Sequence, residues 1–297
     1  MTDRLLGSGL IIVDKPAGMT SHDVISRLRR IFGTRRVGHA GTLDPMATGV
    51  LVVGIERGTR FLAHLVTETK TYRATIRLGA STTTDDAEGD ITSRTDTTGV
   101  TDTIIDAAIT QLTGDIMQKP AAVSAIKIDG KRAHERVRDG ETVDIPARPV
   151  TVHRFDVLDR RSVDGYIDLD VDVFCSSGTY IRSLARDLGN ALGVGGHLTA
   201  LRRTTVGPFD LTHARTLEEL EDNPQLSLTL DQALAASFPI LRVSGEEGHK
   251  LAMGQWLEPR GLKGIHAAVT PDGQAVALVK EKGKRLATVF VARPSTL

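Results

Sequence analysis

Between residues 38 and 51 the chain reads Gly38-His39-Ala40-Gly41-Thr42-Leu43-Asp44-Pro45-Met46-Ala47-Thr48-Gly49-Val50-Leu51, and here the residue types and their spacing offer chemistry. A single acid, Asp44, stands inside it, with glycines on either side and a proline directly after. Glycine reaches backbone conformations closed to other residues and proline fixes its own φ, so such a segment bends sharply and holds a short carboxylate at a set point. The apolar run Val50-Leu51-Val52-Val53 has the composition of a strand and would root the loop. An isolated Asp-Pro is an ordinary turn, so the functional reading rests on the whole pattern.

Three further stretches carry candidate residues. Lys70-Thr71-Tyr72-Arg73-Ala74-Thr75-Ile76-Arg77-Leu78-Gly79 alternates in type, as a half-buried strand does, and contains Tyr72. Cys175-Ser176-Ser177-Gly178-Thr179-Tyr180-Ile181-Arg182 leads into a helix, and Gly195-Gly196-His197-Leu198-Thr199-Ala200-Leu201 follows it. From type alone Tyr72 and Leu201 are core residues and Arg182 is a surface arginine.

Together these stretches change that reading. GHAGTLDPMATGVL resembles the signature of the TruB family, the bacterial pseudouridine synthases that modify uridine-55 in the T loop of tRNA. DKPAGMTS at 14–21, KTYRATIRLG at 70–79, CSSGTYIRSLARDLG at 175–189 and GGHLTALRRT at 195–204 resemble further motifs of the same family. The resemblance implies a catalytic role for Asp44 and RNA contact for His39. It implies that Tyr72 stacks on the target base, Tyr180 lines the base pocket, Arg182 pairs with the catalytic aspartate and Leu201 packs on the base edge. The role expected of Lys15 is structural. Residues 118–134 resemble the start of an insertion, about 118–149, that grips the T loop; Val123 and His134 stand where tyrosines are common, and Lys131, Arg132, Arg136 and Arg138 supply positive charge.

The implied reaction breaks the bond between ribose and N1 of uracil, turns the ring and rejoins it through C5. It needs no cofactor, only an anion placed to act on the sugar or ring, as carboxylates do at glycosidic bonds. The uridine must leave its folded loop, and aromatic faces must replace the stacking it loses. Tyr72 and Tyr180 would supply them, with His39 filling the vacated space.

Composition sets the outer limits. With 297 residues, 40% of them hydrophobic, the chain can bury a large domain and a small one. One cysteine, Cys175, allows no internal disulfide and fits a reducing cytoplasm; we read it as buried and inert. The nine histidines show no metal-ligand spacing, and no metal is expected. The early apolar run Leu10-Ile11-Ile12-Val13 is too short for a signal peptide or a spanning helix. Net charge is zero but local: residues 1–80 carry twelve Lys and Arg against six acids, and 81–110 carry one against seven. The basic quarter, with Arg29, Arg30, Arg35 and Arg36 leading into the Asp44 loop, can meet phosphates. The stretch 80–102 reads as a solvated loop or hairpin tip turning at Asp86 to Asp90.

Sequence pattern and resemblance together give an α+β chain. A mixed, largely antiparallel central sheet with flanking helices, the pseudouridine synthase fold, spans 1–237. Short β runs at 267–269, 275–279 and 286–291 then read as a small C-terminal β-barrel over 238–297; the resemblance implies that it is of PUA type, with Lys280, Lys282, Lys284 and Arg285 toward phosphate. The expected partner is the T arm of tRNA, bound by a monomer without guide RNA or membrane. Two other readings stay open: an RNA-binding or RNA-folding protein on the same scaffold, and a guide-RNA-dependent pseudouridine synthase.

Overall fold

A computed structural model describes residues 5, 7–65, 68–121, 127–128, 131–132 and 145–295. Two compact units divide them, one of residues 1–45, 49–66 and 205–297, the other of 46–48 and 67–204.

In the first unit, strand Thr48–Ile55 pairs antiparallel with Gly9–Lys15, from Gly9 opposite Ile55 to Lys15 opposite Gly49, and also with Val37–Ala40. Helix Ser21–Ile31 starts at a reciprocal capping box formed by Thr20 and Asp23. Val24, Ile25 and Leu28 form its buried stripe, and Arg27 ties it to Glu218 and Glu221 of the helix Leu217–Asp222. The expected C-terminal β element is a four-stranded sheet. Ile240–Arg242 lies parallel to Ile265–Val269, and Ala275–Lys282 and Arg285–Val291 follow antiparallel. Its apolar face is not separate from the rest of this unit. Leu10, Ile12, Val50, Val52 and Phe61 share one core with Leu230, Leu234, Ala267, Leu278 and Phe290. Asp231 reinforces this across residue 238, accepting from the Ala275 N–H at 2.7 Å and pairing with Arg293 at 2.5 Å.

In the second unit the strand order is Gly196–Val206, Lys70–Leu78, Tyr166–Cys175, Arg148–Val163, Gly114–Gln118. Residues Lys70, Tyr72, Ala74, Ile76 and Leu78 are buried in strict alternation, so the period of two read from the sequence is the one observed. The turn between the two longest strands falls at Asp164-Gly165, with φ of 51° and 81°, the two positive values a tight hairpin turn requires. Helix Ile181–Ala191 packs close to the backbone after it: a Cβ on Gly189 would lie 2.1 Å from the Gly195 carbonyl carbon.

The stretch 80–102 departs from expectation. Ala80–Thr82 and Ile91–Arg94 do pair as a hairpin, but Asp86 near its tip is buried, not solvated. The Thr82 hydroxyl donates to the Asp86 carbonyl at 2.7 Å, and the Asp86 carboxylate accepts from the Thr84 hydroxyl at 2.5 Å and the Glu88 N–H at 3.0 Å. Local polar bonds fold the tip inward despite its hydrophilic composition.

Candidate active site

Asp44 belongs to the first unit and is half-buried. Its neighbours on both sides are fixed to the segment 15–21. The buried Ser21 hydroxyl accepts the Leu43 N–H at 2.9 Å and donates to the Leu43 carbonyl at 3.0 Å. The Pro45 carbonyl accepts from the Gly18 N–H at 2.9 Å and from Lys15 Nζ at 3.2 Å. Lys15 is fully buried and also donates to the carbonyls of Pro16 and Met19, at 2.8 and 2.6 Å. Three carbonyl dipoles thus stabilise an ammonium that burial would otherwise penalise. Gly41 and Gly49, with φ of 78° and 99°, are the bends on either side of the acid. The structural role read for Lys15 has its geometry here: the DKPAGMTS turn clamps the backbone around Asp44. His39 lies on the strand Val37–Ala40, half-buried and opposite Val53, so it is held by a ladder where the sequence alone places it in a loop.

Tyr72, Tyr180, Arg182 and Leu201 belong to the second unit. Tyr72 is buried opposite Val173. Tyr180 is half-buried at the N-cap of the helix Ile181–Ala191. Arg182 sits in the first turn of that helix with 5% of its side chain exposed, not at the surface as residue type suggests. Its guanidinium donates to the Thr84 carbonyl at 3.0 Å and lies 3.6 Å from the Asp86 carboxylate. Asp86 as the neighbour of Arg182 is what sequence reasoning missed. The neighbouring Asp85 is reached by Arg186 at 3.2 Å; burial raises its carboxyl above the usual range, and Arg186 and Arg182 oppose that rise.

Leu201 lines a cleft of about 580 Å3 whose wall includes Met46, Thr48, Arg73, Thr75 and Arg202, all within the second unit. Arg202 donates to the Thr48 hydroxyl at 3.3 Å, so the end of the Asp44 motif and the end of the Leu201 motif meet at this cleft.

In the second unit Lys70 and Cys175 are buried opposite each other on adjacent strands. Burial, with the Arg203 charge, brings the Lys70 ammonium down to about 8, and burial pushes the Cys175 thiol up to about 11. A thiol so displaced is not a nucleophile at neutral pH, in keeping with the inert role read for it. Among the described residues no group of three or more His, Cys, Asp or Glu side chains is arranged to hold a metal ion. The cations expected to meet phosphate at Arg29, Arg30, Arg35 and Arg36 are exposed, as are Lys280, Lys282, Lys284 and Arg285, the last stacked 4.9 Å from the Trp256 ring centre. The side chains of Val123, Lys131, Arg132, His134, Arg136 and Arg138 lie outside the described residues.

The model of the TruB family pseudouridylate synthase N-terminal domain matches residues 29–181. The chain belongs to the TruB family. Two further models continue the TruB match: the tRNA pseudouridylate synthase B C-terminal domain over 182–236 and the tRNA pseudouridine synthase II C-terminal domain over 238–293. A relative from Corynebacterium efficiens named tRNA pseudouridine synthase B is 73% identical over 297 residues, all of both chains. One of the same name from Rhodococcus jostii is 58% identical over 294 residues, covering 99% of this chain and 96% of its own. Among solved structures, a chain of a Cbf5-Nop10-Gar1 complex matches this TruB chain with a TM-score of 0.74 and 27% identity, over 98% of this chain and 87% of the other. Another, from an H/ACA RNP bound to a substrate RNA containing 2'-deoxyuridine, gives 0.71 and 26%, over 96% and 85%. The fold expected from the sequence, a mixed α+β pseudouridine synthase scaffold, is therefore the one found. Among the described residues, no helix is long and apolar enough to cross a membrane.

Proposed function

We propose that this protein converts uridine-55 in the T loop of tRNA to pseudouridine, as a cytoplasmic monomer without guide RNA or cofactor, with Asp44 as the acting carboxylate. The observation that carries this reading is the 73% identity, over the whole of both chains, to a relative named tRNA pseudouridine synthase B.

In the reaction the C1′–N1 bond breaks, the uracil turns, a C1′–C5 bond forms, and the proton lost from C5 is balanced by one gained at N1. Nothing is consumed. The clamps on Leu43 and Pro45 support a carboxylate that acts from a fixed position, so little reorganisation is needed when charge develops on the sugar or ring. Tyr72 and Tyr180 receive the everted base, each restoring part of its lost stacking, and Leu201 packs against its edge. His39 contacts the RNA. The buried charge of Arg182, steadied by Thr84 and Asp86, serves the charged centre of the reaction.

Purified protein incubated with an unmodified tRNA transcript, with no second RNA present, tests the proposal when pseudouridine is mapped by position. A single modified uridine at position 55 is expected. No product without a guide, or product elsewhere, overturns it. The guide-dependent reading draws on the matches to chains of H/ACA complexes, whose identity of 26–27% is well below that to the tRNA pseudouridine synthase B relatives.

A further inference from the structure

The strand Gly114–Gln118 ends in a side chain with an unusual partner. Gln118 is 1% exposed, and its amide grips the backbone of Tyr180, sixty-two positions away, from both sides. The Tyr180 N–H donates to Oε1 at 2.8 Å, and Nε2 donates to the Tyr180 carbonyl at 3.1 Å. That carbonyl also accepts the Leu184 N–H at 3.1 Å, the first turn of the helix Ile181–Ala191. A tyrosine at the N-cap brings no short side-chain oxygen to the helix start. In a capping box, the residue at the third helical position reaches back to the N-cap N–H. Here Gln118 performs that service from another strand, and so sets the backbone from which the Tyr180 ring projects.

The next residue repeats the tie. Arg186, on the same helix, donates to the Lys119 carbonyl at 2.6 Å and to the Asp85 carboxylate at 3.2 Å, and Asp85 precedes the Asp86 that faces Arg182. The point where the chain leaves the sheet toward residues 122–144 is thus bonded, at two successive residues, to the helix that carries Tyr180 and Arg182. Both of the amide's polar groups are buried and used, so the arrangement has one orientation: reversing the amide would set donor against donor and acceptor against acceptor.

We infer that Gln118 is a positioning residue for the pocket tyrosine. It fixes Tyr180 in the orientation that turnover needs and joins the root of the 118–149 insertion to the start of the helix bearing Arg182. This rests on the function proposed above.

The test is single-turnover pseudouridine formation at saturating T-arm stem-loop RNA, with RNA Kd and Tm measured alongside, for Gln118→Leu, Gln118→Glu, Tyr180→Ala and the double variants. Gln118→Leu removes both bonds; Gln118→Glu keeps the acceptor for the Tyr180 N–H and sets an oxygen against its carbonyl. Gln118→Leu is expected to slow turnover by about tenfold or more while Kd stays within about threefold, with Gln118→Glu in between. In the Tyr180→Ala background either change should cost less than about twofold, because the group through which Gln118 acts is gone. Unchanged turnover at saturation, or losses that multiply undiminished in the Tyr180→Ala background, overturns the inference. If Gln118→Leu does not fold, Gln118→Glu and its double variant decide by the same criteria. A wild-type protein that makes no pseudouridine defeats the functional reading and this inference with it, whereas active wild type with active Gln118 variants defeats the inference alone.

Discussion

The guanidinium of Arg182 and the carboxylate of Asp86 face each other at 3.6 Å, with 5% and 3% of their side chains exposed. Two charges taken out of water in this way offset each other's burial, so removing one of them costs more than the loss of an exposed pair would.

Asp86→Asn is therefore expected to destabilise the fold by about 3 kcal/mol, the cost of breaking a buried pair from one side. Urea unfolding measures it. A loss below about 0.5 kcal/mol would mean that the Thr84 carbonyl and other neighbours suffice for the Arg182 charge.

Asp44→Asn keeps shape and removes charge. It should abolish pseudouridine formation on a T-arm stem-loop while RNA affinity stays within tenfold, or about 1.4 kcal/mol. Turnover in the variant would move the chemistry to another residue.

Tyr72→Phe leaves a ring for stacking and deletes the hydroxyl. Normal RNA binding with turnover slowed by about tenfold or more is expected if the hydroxyl takes part in proton transfer. An unchanged single-turnover rate would reduce Tyr72 to a stacking platform.

Lys15→Met fills similar space but leaves the carbonyls of Pro16, Met19 and Pro45 without their shared donor. Loss of about 2 kcal/mol or more of stability is expected, chiefly from the Pro16 and Met19 carbonyls, since Pro45 keeps the Gly18 N–H, together with slower turnover at unchanged RNA affinity as the backbone beside Asp44 loosens. Equal rates for variant and wild type at saturating RNA would remove Lys15 from the positioning of Asp44.

The buried Lys70 and Cys175 make opposite contributions to stability against pH. Lys70 titrates near 8 when folded and near 10.5 when unfolded, so between those values the unfolded chain binds more protons and stability rises with pH, by roughly 3 kcal/mol in all. Cys175 moves from 9.0 unfolded up to about 11 folded, so its share is complete below pH 9 and is lost as pH climbs toward 11. Wild-type stability should rise from pH 8 to 9 and then level. In Cys175→Ala the rise should continue to about 10.5, and in Lys70→Met it should be absent. Denaturant titrations at fixed pH check all three, and a flat Cys175→Ala profile would remove Lys70 as the source.

How far the sequence foretold this structure depended on whether a signal was local. The alternation around Tyr72 is a short-range pattern and is found where it was read, and the Thr20 cap and the Asp164-Gly165 turn are equally local. Asp86 was hidden for the same reason: its Ser, Thr, Asp and Gly neighbours have the composition of a solvated loop, and only hydrogen bonds among them turn it inward. For Arg182 a usable cue did exist in Gly189 and the pair Gly195-Gly196, whose backbones approach too closely for any side chain and so draw the helix into the body of its unit. The pairing of Gln118 with Tyr180 spans sixty-two residues and left no local trace. Nor could the step at Phe238 reveal that apolar residues beyond it complete a core begun at Leu10.

That shared core imposes an order of events on the ribosome. The unit of residues 67–204 is nearly continuous in sequence and can close as soon as it emerges, but Ile12, Val50 and Val52 await Leu278 and Phe290, made more than two hundred residues later. At about 5–20 residues per second, the first-made strands wait on the order of ten seconds or more with their apolar faces unfilled. Messages truncated before the codon for Leu278 should therefore yield a nascent chain that resists protease in its middle and is cut at both ends.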